Sequence, residues 1–291
     1  MHSFSVTENY VILVEYPFVV DPYDFESGGR GFIDYFHWDK TINTKFIVVD
    51  RSSGSVVATP ETHGCFSLRH ANAFERDGDI YLFMVVHHDA SIIEFLANKK
   101  RREAYASGKI GSRPQLVQYK ISLNAPTAEV LPLMNAYVDY PAINPAFDGK
   151  PNRYIYLVDS REPPLDGKGI DQSHNRPIHK LDIQTGEHKS WHCHHGACDE
   201  PIFIPSPAGA SEDDGVLVTT VHDAFNKLSF VIILDAHTMR ELARCVLPYV
   251  VPRGSHGLYI PPVRGSQGPP SPSRKGPRAD QSWIGPADGS A

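Results

Sequence analysis

One pattern recurs along the chain and limits what it can become: a strand-like apolar run, a connection of variable length, then a hairpin whose turn is rich in Asp, Ser, Thr or Gly. It appears as "ENYVILVEYP" with "KFIVVDRSSGSVVATPE", "DGDIYLFMVVHH" with "QLVQYKISLNAPTAEVL", "NRYIYLVDS" with "HKLDIQTGEHKSWH", and "DDGVLVTTVHD" with "SFVIILDAHTMRELARCVL". Runs of Val, Ile, Tyr and Phe bounded by Gly, Asp, Asn and Pro read as strands and turns. A shorter segment precedes each unit, "HSFSV", "RHANAFE", "DYPAINP" and "DEPIFIP", and "HGLYI" stands alone after the fourth. Four strands per unit, in units of about 55 to 70 residues, suit the blades of a β-propeller. The expected fold is therefore all-β: four blades and a stub forming an arc.

The totals narrow the function classes. A formal charge of -6 argues against a nucleic-acid binder, which needs a basic face. Cys65, Cys193, Cys198 and Cys245 are too few, in 291 residues, for a disulfide framework and suit a reducing compartment, so a cytoplasmic location is expected. No apolar run reaches the ~18 residues of a membrane span. Two segments fall outside the repeat. Residues 92–107, "IIEFLANKKRREAYAS", read as a helix inserted in a blade connection, with a basic stretch at 99–102 that faces solvent or lipid head groups. Residues 261–291 are rich in Pro, Gly and Ser and read as a disordered tail beyond a domain spanning 1–260.

The eye falls first on "SWHCHHGACDEPIFIP", where Cys193 and Cys198 stand among His192, His194 and His195. A structural zinc site wants a second Cys/His pair at a set spacing, and none follows. The phased residues are the stronger signal. His2, His70, Asp139, Glu200 and His256 lie in the short segments that begin successive units, 68, 69, 61 and 56 residues apart. Matching positions on the innermost strands of a propeller converge on its axis. Three imidazoles and two carboxylates meeting there suit a transition metal, the carboxylates accepting the far ring N–H of ligating histidines. No Gly-rich phosphate loop or Ser-centred nucleophile elbow is present.

These segments resemble the motifs of the carotenoid cleavage oxygenases: His2 in "HSFSVTENYVILVEYP", His70 in "RHANAFERDGDIYLF", Glu200 in "DEPIFIPSPAGASEDDGVLV" and His256 in "HGLYI". The resemblance covers roughly residues 1–260. It implies a seven-bladed propeller with loop and helical dome insertions, of which this chain holds about four blades. It further implies a non-haem iron, Fe(2+), held by four histidines, and cleavage of a double bond of a carotenoid or apocarotenoid with O2. His2, His70 and His256 match the second, third and fourth ligands, and Glu200 matches a carboxylate that orients a ligating imidazole. Asp139, in "VDYPAINPAFDGKP", stands where the family has another glutamate, and Ser255 precedes His256 where the family has an aromatic residue. The first ligand and first blades are expected upstream of Met1. Phe32, Tyr35, Phe36 and Trp38 in "GFIDYFHWD" match the neighbourhood of the substrate tunnel's entrance, where such proteins touch membrane. Three alternatives stand beside this reading: a truncated, catalytically inactive piece acting in binding or regulation, isomerohydrolysis of a retinyl ester on the same metal frame, and a zinc-binding propeller centred on Cys193 and Cys198.

Overall fold

The computed structural model describes residues 2–97, 113–160, 176–193, 195–207, 209–254 and 256–261, with no side-chain description for 25–27. The chain divides into two units, Met1–Leu258 and Tyr259–Ala291; of the second, only residues 259–261 are described. The sequence's proposed tail lies outside the described residues from 262 onward, as do Ser255, His194 and the basic stretch at 99–102.

The first unit is four successive antiparallel sheets, one for each repeat. Sheet 1 contains β1 (Ser5–Val6) and β2 (Tyr10–Glu15); a ribbon of β3 (Phe18–Val19) and β4 (His37–Trp38) then intervenes. Sheet 1 resumes with β5 (Thr44–Asp50) and β6 (Val56–Ala58), and β7 (Glu61–Thr62) also pairs with β5. Sheet 2 runs β8 (Phe66–Arg76), β9 (Asp79–His87), β10 (Gln115–Ser122) and β11 (Glu129–Pro132). Sheet 3 runs β12 (Val138–Ala142), β13 (Tyr154–Asp159), β14 (Ile178–Asp182) and β15 (His188–Trp191). In sheet 4, β16 (Gly196–Cys198) and β17 (Ile202–Pro205) both pair with β18 (Gly215–Asp223), followed by β19 (Leu228–Asp235) and β20 (Glu241–Val246). The segments that opened the first three repeats in sequence supply strands β1, β8 and β12, the first of sheets 1 to 3, and "DEPIFIP" supplies β17 in sheet 4.

Period-two alternation sends alternate residues of each strand to opposite faces, and this builds a core between each pair of sheets. Ile12, Val14, Phe46 and Val48 of sheet 1 meet Ile80, Leu82 and Met84 of sheet 2. The opposite face of sheet 2, with Phe83, Val85 and Leu116, meets Val138, Ile155, Leu157 and Leu181 of sheet 3. Tyr156, Val158, Ile178 and Trp191 then meet Phe203, Leu217, Val221, Phe230 and Ile232 of sheet 4. Sheets 2 and 3 are therefore buried on both faces, which explains why β9 and β13 read as near-continuous apolar runs.

The expected insertion helix begins at Ser91, whose amide is taken by Asp89, and is described as α1 (Ser91–Ala97). Its Ile92 and Ile93 pack with Trp38, Phe18 and Tyr16 against Phe66 and Leu68. Among the described residues, no helix is long and apolar enough to cross a membrane.

Candidate metal centre

The phased residues do not all arrive at one point. His2, just before β1, and His256, on a strap that follows sheet 4, come together with ring centroids 5.7 Å apart. Glu200, in the β16–β17 connection, lies behind His256. Its two carboxylate oxygens accept from His256 Nδ1 at 3.2 Å each, and it also accepts the Gly257 amide at 3.1 Å. With Nδ1 held, Nε2 of His256 is the nitrogen left to bind an ion. The side chain of His256 is 49% exposed and that of Glu200 is 19% exposed.

His70 has its own partners. It sits on β8, where the pairing with β9 is interrupted by irregularities on either side of it. Ser5 Oγ lies 2.8 Å from its Nδ1 and the Tyr16 hydroxyl 3.3 Å from its Nε2. Burial pulls the imidazole down to about 4, so it is neutral at neutral pH, and burial likewise raises the Tyr16 phenol.

Among the described residues, the hydrogen-bond partners of Asp139 include no imidazole. Its Oδ2 accepts from Arg69 Nη1 at 2.8 Å and its Oδ1 from the amide of Tyr140 at 2.8 Å. The Arg69 guanidinium lies 3.9 Å over the Tyr140 ring, and that ring is 6.4 Å from His256. Tyr140 takes φ of +53°, a left-handed conformation costly for a bulky residue, where β12 breaks register between Asp139 and Ala142. An aspartate, one methylene shorter than glutamate, is captured by the arginine immediately preceding His70. Nothing in the order of residues signalled this ion pair, nor Ser5 and Tyr16 as the partners of His70, because all three contacts join residues far apart in the chain.

Do these residues suit a metal? Two imidazoles on one ion, each with a ring nitrogen ~2 Å from it, bring their ring centres to roughly 4.5–6.5 Å. The His2–His256 pair falls in that range, and the carboxylate on the far nitrogen of His256 is what a ligating histidine requires. The donor chemistry of this pair fits; His70 would have to exchange the Tyr16 hydroxyl for the ion. Among the described residues, no three His, Cys, Asp or Glu side chains are already placed to hold an ion together.

The Cys/His segment offers no competing site among the described residues. Cys193 and Cys198 are free thiols, and burial raises both above the ordinary thiol value, which opposes the thiolate a zinc site needs. The ring of His195 stacks on Phe225 at 4.8 Å. Of the four aromatics near residue 35, Phe32 is 67% exposed, whereas Tyr35 is buried, Phe36 stacks on Phe18 and Trp38 packs beside Phe66.

Comparison with known proteins agrees with the fold. Over 89% of the chain, β,β-carotene 15,15'-dioxygenase of Gallus gallus is 29% identical, and the match covers 54% of that protein. Apocarotenoid-15,15'-oxygenase of Synechocystis is also 29% identical, over 89% of this chain and 51% of that one. The crystal structure of the cobalt-substituted Synechocystis enzyme superimposes with a TM-score of 0.74 at 25% identity, covering 88% of this chain and 52% of that one. The chain thus spans about half the length of the curated relatives it matches. Residues 1–261 match the family described as retinal pigment epithelial membrane protein, and the chain belongs to that family, the carotenoid cleavage oxygenases.

Proposed function

We propose that this chain is the ligand-bearing part of a non-haem iron oxygenase that cleaves a double bond of a carotenoid or apocarotenoid with O2, built as about four blades of a seven-bladed propeller. The observation that carries this reading is the meeting of His2 and His256 from opposite ends of the four-sheet unit, with Glu200 fixing the ring of His256. Relatives named as carotene and apocarotenoid oxygenases support the choice of substrate class. His2, His256 and His70 would hold the iron, which supplies O2 activation when bound. Glu200 keeps Nδ1 of His256 occupied so that Nε2 is presented. Burial keeps His70 neutral, as a ligand must be, and Ser5 rather than Asp139 fixes its ring. Asp139 acts at one remove, holding Arg69 next to His70. The exposed ring of Phe32, packed on Phe36, supports an apolar or membrane-facing approach for the substrate beside the buried Tyr35 and partly buried Trp38. A cytoplasmic protein with peripheral membrane contact follows from this reading.

One observation favours a second reading, a catalytically inactive piece that acts by binding: His70 has both ring nitrogens occupied by protein hydroxyls. A single experiment separates them. The chain is loaded anaerobically with Fe(2+), its bound metal is measured, and the absorbance of a long polyene is followed before and after O2 is admitted. Close to one iron per chain and bleaching only after O2 are expected. Absence of bound iron, or iron without O2-dependent bleaching, would overturn the oxygenase reading.

A further inference from the structure

The strap that carries His256, described at residues 251–254 and 256–257, forms no described ladder with sheet 4. Instead, three of its backbone amides at intervals of three residues are taken by side chains. Val251 donates to Ser229 Oγ at 3.2 Å, Gly254 to Asp199 Oδ2 at 3.2 Å, and Gly257 to Glu200 Oε2 at 3.1 Å. Arg253 Nε adds a longer contact to Asp199 Oδ1 at 3.5 Å. Two of these three anchors are joined through one imidazole. His222 Nε2 donates to Asp199 Oδ2 at 2.7 Å, and Ser229 Oγ lies 3.4 Å from His222 Nδ1.

Each anchor is itself fixed by the sheet. His222 and Ser229 are direct cross-strand partners on β18 and β19. Asp199 follows β16 directly; its amide donates to Thr220 O at 2.9 Å and its carbonyl accepts from Thr219 Oγ1 at 2.9 Å. The order Ser229, His222, Asp199 has the hydrogen-bond sense of a hydrolase triad. Ser229 is completely buried, however, and its Oγ already accepts the Val251 amide, so no carbonyl substrate can reach it. The relay is structural. It ends on the strap, two residues from His256, while the neighbouring Glu200 grips His256 itself.

We propose that His222 and Asp199 are positioning residues for His256: together with Ser229 they lace the strap to sheet 4 and set where the imidazole of His256 is presented. The assignment rests on the reading of His256 as a metal ligand for its consequence, but the lacing stands on its own contacts. Outer hydrogen-bond partners of ligands are worth about 10–100-fold in metal affinity.

The test uses the 291-residue chain, with Co(2+) alone as the probe. In His222→Phe, amide exchange at Gly254 is expected to accelerate at least tenfold by NMR while the β18–β19 ladder stays protected, and Co(2+) affinity to fall about tenfold or more. His222→Gln, whose side-chain amide can still donate to Asp199, should recover most of both. Asp199→Asn, which keeps the shape, is the second variant if the phenylalanine disrupts the sheet, and it should speed Gly254 in the same direction. Unchanged exchange at Gly254 in these variants, or a glutamine variant as impaired as the phenylalanine one, would overturn the proposal. If the unaltered chain takes up no Co(2+), the metal reading fails, and the exchange data alone decide the lacing.

Discussion

Lys180 is only 5% exposed, and its surroundings are arranged to hold its charge. Nζ donates to Asp213 Oδ2 at 2.5 Å and to the His237 carbonyl at 3.2 Å, and it lies 4.0 Å over the Tyr154 ring. Asp213 also accepts from His237 Nδ1 at 2.8 Å and from Ser211 Oγ at 3.0 Å. Burial pushes this carboxyl up, but the hydrogen bonds from Lys180, His237 and Ser211 prevail and bring it to about 2. An unfolded aspartate titrates at about 3.9. The folded value is the lower one, so this carboxylate's contribution to stability is full above pH ~4 and is lost as pH falls through about 2. Asp213→Asn leaves Lys180 buried without its counter-charge, which costs about 3–5 kcal/mol at neutral pH. Urea denaturation against pH should show that deficit narrowing between pH 4 and 2. Which of the acids in "SEDDGV" is buried depends on Lys180, 33 residues away from Asp213. Asp199 presents the same difficulty beside Glu200: its importance lies in His222 and Gly254, contacts invisible along the chain.

At the scale of strands and turns, much more was legible. "RDGDI" places Asp77 and Gly78 at the tip of the β8–β9 hairpin, with φ of +55° and +84°, the two-residue turn that Asp-Gly favours. The apolar runs of the four repeats are strands, because alternation and β-branched residues already specify two faces, whereas "HGLYI", expected as a stub after the fourth, forms none. How deeply a face is buried was not legible, since it depends on which sheet lies against it. Leu82 on β9 is wholly buried between sheets 1 and 2, whereas Val231 on β19 lines the half-exposed cleft beside Glu200 and His256. Leu82→Ala is expected to cost about 2–5 kcal/mol, and Val231→Ala under about 1.5 kcal/mol. Equal losses in urea titrations would contradict the stacking order of the sheets. The register break at Tyr140 was also hidden. "DYPAINP" reads as an ordinary strand, yet Tyr140 is left-handed there, with the Arg69 guanidinium stacked on its ring.

Across the whole first unit, the residues nearest its two ends meet: His2 before sheet 1 and His256 after sheet 4. An ion shared by these rings would tie the beginning of the sheet series to its end, and binding to the folded state alone stabilises by about 2.7 kcal/mol when the ion is at 100 times its Kd. Co(2+) is therefore expected to raise the midpoint of thermal unfolding in calorimetry, and His256→Ala to abolish the rise without removing the transition. An equal rise in the variant would place the ion elsewhere. The sequence by itself determined the four repeat sheets and the family, because alternation, turn chemistry and motif order are local properties that survive without tertiary context; it did not determine the β3–β4 ribbon or the fifth strands of sheets 1 and 4. It also put five chemically suited residues in phase. Only the tertiary structure decided which of them meet. His2, His256 and Glu200 come together, while Arg69 takes Asp139 and the hydroxyls of Ser5 and Tyr16 take His70. The phase of a repeat fixes where a backbone lies, but a side chain turns to the nearest partner that satisfies its charge or hydrogen bonds once water is excluded.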